Sequence, residues 1–429
     1  MLDVKLLREN PEVIRADLRK RGMTDKLRLV DDAIAADSEW RNAKVQSETL
    51  RHEMNEVNRK IAALARGKNP IEAEQKRVRE ISRKEDQYAQ VQTTQLQSLE
   101  TILMGLPNIL HESVPVGKDD SENVTVRTWG GPQKFDFQPR DHIEVLTSLG
   151  MVDMERASRI AGARFFFLKG DAVKLEHAIM RYAIDVLSKK GFVPVEPPFM
   201  MRRAPYSGVT DMNDFGPVIY KIEGEDLYMI ATSEHPLVAM HMDEILDGKD
   251  LPLRYCGFSP CFRVEAGAHG KDTKGIFRTH QFYKVEQIAF ARPEESWEIH
   301  EQLIANSEEI FQSLGLHYRV VNVCTGDMGT VAAKKYDLEA WMPVQGKFRE
   351  MVSCSNCTDY QARRLKIRFR DKQSEATRLV HTLNSTAVTT RVLVAIAENF
   401  QQKDGSVKIP KALGPYMGGI TALEKKSST

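Results

Sequence analysis

The stretch that concentrates the most chemistry runs from Phe262 to Glu286. It opens Phe262-Arg263-Val264-Glu265, passes through a loop with three glycines and two lysines that is expected to move, and returns through Arg278, Thr279 and Phe282 to Lys284 and Glu286. If both sides are strands, Arg263 and Glu265 share a face, and so do Phe282, Lys284 and Glu286, because side chains alternate along a strand. Two guanidiniums flanking a hairpin suit an anion, since each offers a planar fork of donors. Phe282 can stack on a flat base. These residues alone read equally well as an exposed basic hairpin with salt bridges.

Three further clusters pair charge with hydroxyls. Thr232-Ser233-Glu234 follows the apolar run Leu227 to Ala231; a carboxylate beside hydroxyls at a strand end suits an ammonium group, and is also a common helix N-cap. Glu350-Met351-Val352-Ser353 sets a carboxylate and a hydroxyl three residues apart, an oxygen pair suited to Mg2+. From His381 to Thr390, small hydroxylated residues lead into the apolar helical pattern Val392 to Phe400 with Arg391 at its start, and a helix N-terminus beside an arginine attracts anions. Cys354 and Cys357 form a C-x-x-C, yet structural zinc wants four ligands and Cys256 and Cys261 are loosely spaced, so ordinary thiols are expected.

The elements that must carry these groups fall into two regions. From Ala33 to Ala65 there is no Gly or Pro, and Leu50, Met54, Val57, Ile61 and Leu64 recur at spacings of 4, 3, 4 and 3, a heptad seam. Gly67 and Pro70 then predict a stop. Ile71 to Met104 repeats the pattern through Val78, Ile81, Tyr88, Leu99 and Ile102, with polar gaps at positions 85, 92 and 95. Two such helices predict an antiparallel coiled-coil hairpin over about 31–104 that projects as an arm. After a polar linker, 111–134, the composition turns mixed, with a helix over Ala172 to Lys189 and strands at Leu227 to Ala231, Tyr255 to Phe258, Phe282 to Phe290 and Tyr318 to Val323. Neither a G-x-G-x-x-G nor a Walker motif is present, so a nucleotide would bind outside those frameworks.

Composition removes several classes. At 429 residues the chain exceeds one compact core, and 41% hydrophobic with 28% charged residues describes a globular protein. The charged opening Met1 to Pro11 argues against a secretory signal, no apolar run approaches the roughly 20 residues of a membrane span, and five cysteines fit a reducing cytoplasm. Net charge is only +1, but residues 59–84 hold nine basic and three acidic side chains, a surplus of six that leaves the remainder at −5. Lys76, Arg77, Arg79 and Arg83 lie in that basic segment, a plausible handle for phosphates as well as a solvated helical face.

In this order, the segments resemble the class II aminoacyl-tRNA synthetases, and within them the seryl-tRNA synthetase family. The likeness runs from the opening Met1-Leu2-Asp3-Val4-Lys5 through the arm to Pro415-Tyr416-Met417-Gly418-Gly419. Gly191-Phe192 through Pro198 looks like motif 1, the dimer-interface motif; Phe262 to Glu265 with its loop looks like motif 2; the Arg391 helix looks like motif 3. Ser353-Cys354-Ser355-Asn356-Cys357-Thr358-Asp359 also fits the family, which weakens any metal reading of the cysteines.

The resemblance implies an α+β fold: an N-terminal tRNA-binding domain over 1–110 bearing the coiled-coil arm, and a class II catalytic domain over 135–429 built on an antiparallel sheet flanked by helices. It implies a cytoplasmic homodimer that uses ATP and Mg2+ to join L-serine to tRNA(Ser), with the selenocysteine tRNA a further candidate acceptor. Matched motif by motif, Arg263 would hold the α-phosphate, Glu265 the adenine amino group and Arg391 the γ-phosphate. Phe282 would stack on adenine, with Val264, Arg278 and Thr279 lining the nucleotide site. Glu350, Met351, Val352 and Ser353 would also belong to the ATP site, with Glu350 and Ser353 holding Mg2+. Thr232, Ser233 and Glu234 would receive the serine ammonium, and Glu286 with Thr386 the serine side chain; Ser385 replaces Thr386 if the register shifts by one. Two rival readings are an amino acid:carrier-protein ligase, against which the long arm argues, and a non-catalytic tRNA-binding paralogue, against which the full set of charged motif residues argues.

Overall fold

The computed structural model describes residues 1–265 and 275–425, with the side chains of Asn213 and Asp214 excepted. The glycine-rich loop expected to move therefore lies outside the described residues. Two units form, Met1–Ile109 and Leu110–Thr429.

In the first unit the heptad pattern yields helices α1 (Leu27–Arg66) and α2 (Glu72–Gly105). They run antiparallel, since Ala43 meets Gln92, Ser47 meets Glu85 and Lys60 meets Glu74. Gly67 caps α1, but the left-handed residue that turns the chain is Lys68, at φ 53°. Val57, Ile81 and Leu99 of the heptad pattern are buried. Two of the three polar gaps turn out to be seam positions: Glu85 accepts from Ser47 Oγ (3.3 Å) and Arg51 Nε (2.8 Å), and Gln92 donates to the Ala43 carbonyl (3.4 Å). Polar pairs inside a seam cost stability while specifying register. Lys76, Arg77, Arg79 and Arg83 are all exposed, with Arg77 ion-paired to Glu53.

The second unit is organised by an eight-stranded sheet: β1 (Val124–Trp129), β2 (Val193–Val195), β3 (Leu253–Phe262), β4 (Gln281–Ala291), β5 (Tyr318–Asn322), β6 (Lys334–Met342), β7 (Lys347–Asn356) and β8 (His381–Thr389). Their order is β1-β5-β6-β7-β8-β4-β3-β2, antiparallel throughout except β2 against β3. Within the stretch 111–134, read from composition as a linker, Val124–Trp129 pairs with β5 as an edge strand, with the register shifting between Thr125 and Arg127. The apolar run Leu227 to Ala231 shortens to Tyr228–Met229, which pairs with Met200–Met201 outside the main sheet.

Helices α3 (Asp171–Lys189), α4 (Glu234–Ala239), α5 (Ser296–Ser313) and α6 (Arg391–Asn399) cover the sheet. Residues alternate across β4: Val285, Ala289 and Ala291 join the core with α3, α5 and α6, while Ile288 and Phe290 join Leu237 and Val238 of α4. Each fully buried side chain of this size contributes about 1.5–3 kcal/mol, which fixes which face of β4 meets α4. The even-numbered face, carrying Lys284 and Glu286, is therefore turned toward Glu234.

Gly257 on β3 lets α4 approach that closely. A Cβ there would lie 2.5 Å from Leu237 Cδ1 and 2.7 Å from Ser233 Oγ. Gly257→Ala should cost about 1–3 kcal/mol through overpacking and lower Tm, as calorimetry would read. An unchanged Tm would mean that α4 has room to withdraw. Among the described residues, no helix is long and apolar enough to cross a membrane.

Candidate active site

Two hollows open on this face of the sheet. The first is lined by Arg263, Glu265, Arg278, Thr279, Phe282, Glu350, Met351 and Arg391. The second, about 310 Å3, is lined by Thr232, Glu234, His235, Glu286, Lys335 and Asn384. Four residues belong to both: Arg263, Lys284, Ser353 and Thr386.

Arg263 and Glu265 do not share a strand face as expected. β3 ends at Phe262, although Arg263 N still donates to the His280 carbonyl at 2.9 Å, and Glu265 takes a left-handed backbone at φ 52°. A non-glycine residue there is strained, and such strain concentrates at functional sites. The Glu265 carboxylate accepts from Arg278 Nη1 at 3.1 Å. Arg278 Nε is buried without a partner among the described residues, a donor available to an anion. The Arg263 guanidinium sits 5.2 Å over the Phe282 ring and donates to the Ala231 carbonyl at 3.3 Å.

Two β-bulges aim the opposite wall. Leu338 pairs with Val352 but Glu339 pairs with Glu350, so Met351 is an inserted residue. Residues three apart normally face opposite ways; the insertion returns Glu350 and Ser353 to one face. Ala387 is inserted in β8 in the same manner, so Thr386 and Thr389 both face the hollows, opposite Glu286 and Lys284. Ser385 pairs instead with Gln287, whose amide bonds Leu303 and Ser307 of α5 on the other side of the sheet. The geometry thus turns Thr386 to the site and Ser385 away.

Arg391, the first residue of α6, donates to the Phe277 carbonyl (3.1 Å) and the Glu350 carbonyl (2.9 Å), and lies 4.7 Å over the Phe277 ring. Desolvation within the hollow works to raise the half-exposed Glu350 carboxyl, but Arg391, Lys335, Arg263 and Arg278 outweigh it and hold it below its ordinary value. Glu350 is therefore a standing anion in a wall of cations.

The second hollow holds the buried carboxylates. Glu234, beginning α4, is pushed up to about 7, first by burial and then by the Glu286 charge, against the pull of Lys284 and of the Gln361 amide 3.1 Å away. Thr232 Oγ1 accepts from Glu234 N at 3.2 Å, a turn just before the helix, while Ser233 at the N-cap position makes no side-chain capping bond. His235 is pushed down to about 3 by burial and by Lys284 and Arg263, hence neutral, with its ring 2.9 Å from Tyr206 Oη. Ser233, Val264 and Val352 line neither hollow: Ser233 Oγ donates to the Gly257 carbonyl, Val264 N to the Val218 carbonyl, and Val352 is core. Lys284 and Lys335 line the site although the motifs assign neither a role; the sequence signal for Lys284 is the face it shares with Phe282 and Glu286.

Cys354 and Cys357 are buried thiols outside any disulfide. Cys354 Sγ donates to the His300 carbonyl at 3.7 Å, Asn384 Nδ2 donates to Cys357 Sγ at 3.8 Å, and burial pushes both thiols up.

A family model described as the seryl-tRNA synthetase N-terminal domain matches residues 1–110, and one described as the tRNA synthetase class II core domain (G, H, P, S and T) matches residues 219–400. The serine–tRNA ligase of Thermococcus sibiricus is 52% identical over 97% of this chain and 96% of that protein. That of Methanocella arvoryzae is 54% identical over 99% of this chain and 100% of its own length. Among solved structures, the seryl-tRNA synthetase of Pyrococcus horikoshii complexed with ATP matches with TM-score 0.96 at 50% identity, covering 100% of both chains. The cytoplasmic serine–tRNA ligase of Naegleria fowleri in complex with AMP matches at 0.90 and 36%, covering 100% of this chain and 99% of that one. With full-length identity at this level and both domain models in place, the chain belongs to the serine–tRNA ligases, within the class II aminoacyl-tRNA synthetases.

Proposed function

We propose that the first hollow takes ATP and the second L-serine, and that the seryl-adenylate forms where they meet. One observation carries this reading: Arg263, Lys284, Ser353 and Thr386 line both hollows, so two ligands seated there would touch beside a guanidinium. A serine carboxylate oxygen bonds to the α-phosphorus as the α-phosphorus–oxygen bond to the β-phosphate breaks, and pyrophosphate leaves. Both reactants are anions, so alignment and positive charge do more than a protein nucleophile could.

In this scheme Arg263 holds the α-phosphate, Arg391 the γ-phosphate, and Phe282 the adenine, whose amino group Glu265 accepts. Arg278 and Thr279 complete the nucleotide wall. Glu234 with Thr232 takes the serine ammonium, and Glu286 with Thr386 takes its hydroxyl. A site built to bond a hydroxyl penalises alanine strongly, because its buried acceptor would be left unpaired. The tRNA then supplies its terminal ribose hydroxyl, which attacks the seryl carbonyl and releases AMP.

Glu350 and Ser353 would hold Mg2+. They are oxygen ligands on one face, and the carboxylate is kept ionised. The cation favours one or two protein oxygens supplemented by substrate phosphates, which suits so small a protein set. When bound it would neutralise phosphate charge. Cytoplasmic location and a homodimer closed through Gly191 to Pro198 accompany the reading.

Serine-dependent ATP–pyrophosphate exchange tests the assignment. Exchange that requires serine and Mg2+ is expected; folded protein giving none with either in excess would sink it. For the arm, replacing Lys76, Arg77, Arg79 and Arg83 together by alanine should weaken tRNA charging and flatten its salt dependence, by roughly one in log–log slope for each phosphate no longer neutralised. Exchange should remain at the wild-type rate. Equal loss of both activities would refute this division of labour.

A further inference from the structure

Lys284 is the charged residue at the junction for which the scheme above has no task. It lies on β4 two residues before Glu286, so both project from the same face. It is buried, 7% exposed, and its Nζ is 2.5 Å from Glu286 Oε2. Thr386 Oγ1 donates to the same oxygen at 3.3 Å. Both contacts therefore fall on Oε2, which leaves Oε1 for a ligand.

Glu286 needs such a clamp. It is 1% exposed, and an isolated carboxylate that deep takes up a proton instead of staying charged. Burial does push it up, and Lys284 is the strongest influence against that, ahead of Thr386 and Arg263. From the neighbouring elements, Glu234 of α4 adds like charge, while Cys256 and Cys261 of β3 and Cys354 of β7 are thiols whose burial keeps them protonated. Arg263 and Lys284 both border the two hollows, and Lys284 is the cation that belongs to Glu286 by contact.

We infer that Lys284 is a positioning residue: it clamps Oε2 of Glu286 so that Oε1 stands as a fixed anionic acceptor for the substrate's side-chain hydroxyl, and so sets the preference for serine over alanine. This rests on the proposed assignment of the second hollow to serine. A neutral or freely rotating Glu286 would bind the hydroxyl less well but would lose little against alanine, which has no hydroxyl to offer.

The test is pyrophosphate exchange by full-length wild type, Lys284→Met and Lys284→Arg, with serine and with alanine, alongside Tm. Lys284→Met is expected to raise KM for serine by roughly 10- to 100-fold, the range for removing a charged hydrogen bond. Its kcat should change less, and kcat/KM for alanine should stay near the wild-type value, so the serine-to-alanine ratio falls by about the same factor. Lys284→Arg, which keeps the charge, should recover part of that ratio. A merely structural role would depress both substrates together and leave the ratio intact; that result, or a loss confined to kcat, overturns the inference. Should Lys284→Met fail to fold, Lys284→Gln carries the same expectation. Absence of serine-dependent exchange in the wild type would instead overturn the underlying assignment, so the two failures are distinguishable.

Discussion

Arg263→Ala should lower serine-dependent pyrophosphate exchange by about a thousandfold, with most of the loss in kcat. A preorganised donor aimed at charge that develops in the transition state is worth roughly 10²–10³ in kcat, and Arg side chains at phosphoryl groups reach 10³–10⁵. Arg263 is the guanidinium common to both hollows, held by the Ala231 carbonyl and the Phe282 face, so it is in place before substrates arrive. Arg263→Lys should regain only a minor share, because an ammonium cannot make two parallel contacts or stack on the ring. Arg391→Ala provides the contrast. Its assigned partner is the leaving group's far end, so KM for ATP should rise along with the loss in kcat. If Arg263→Ala raised KM and left kcat within threefold of wild type, its contact would be equally strong in ground and transition states, and the placement at the α-phosphate would be wrong.

The arm was the most legible part of the chain because a 3.5-residue period is local: it needs only apolar side chains recurring on one helix face. What the period could not say was that Glu85 and Gln92 belong to the seam, since a polar residue there looks like a gap until Ser47, Arg51 and the Ala43 carbonyl are brought opposite. In the second unit the strands were visible as apolar runs, but their ends were not. β3 stops at Phe262, and Glu265 turns left-handed in a way its neighbours in sequence do not signal. Arg263 and Glu265 thus share no strand face, yet both reach the first hollow.

Spacing misleads in the opposite sense at Glu350 and Ser353. Three residues apart on a regular strand, they would point to opposite faces. They share a wall only through the inserted Met351, as Thr386 and Thr389 do through Ala387. A bulge is a property of the pairing of two strands, so one strand's alternation carries no trace of it. The sequence favours Thr386 over Ser385 without fixing the register, because the outcome depends on which residue of β4 lies opposite. Strand β1 was hidden by its polar surroundings, because an edge strand needs neither buried face to be strongly apolar.

Glu234 yields the sharpest pH prediction. In the free protein its carboxyl titrates at about 7, raised by burial and by Glu286. Below that value it is neutral and offers an ammonium only a dipole; above it the carboxylate is charged. Serine binding should therefore tighten as pH rises through 7, by about tenfold between pH 6 and pH 8, as expected for one group going from mostly protonated to mostly ionised. The sign follows from linkage: the ammonium favours the ionised form, so binding lowers the Glu234 pKa and releases a proton at acidic pH. Calorimetric titration in two buffers of different ionisation heat would count that proton. Serine should likewise raise Tm more at pH 8 than at pH 6. Glu234→Gln removes the charge without removing the volume, and should weaken serine binding by roughly a hundredfold, the cost of removing a charged partner in a buried site. It should also flatten the pH profile between 6 and 8. A Gln variant that still tightened tenfold over that range would move the titration to Glu286, whose carboxyl shares the hollow and whose ionisation is coupled to Glu234 by repulsion. The ammonium would then have to be assigned to Glu286, and the hydroxyl to Thr386 alone.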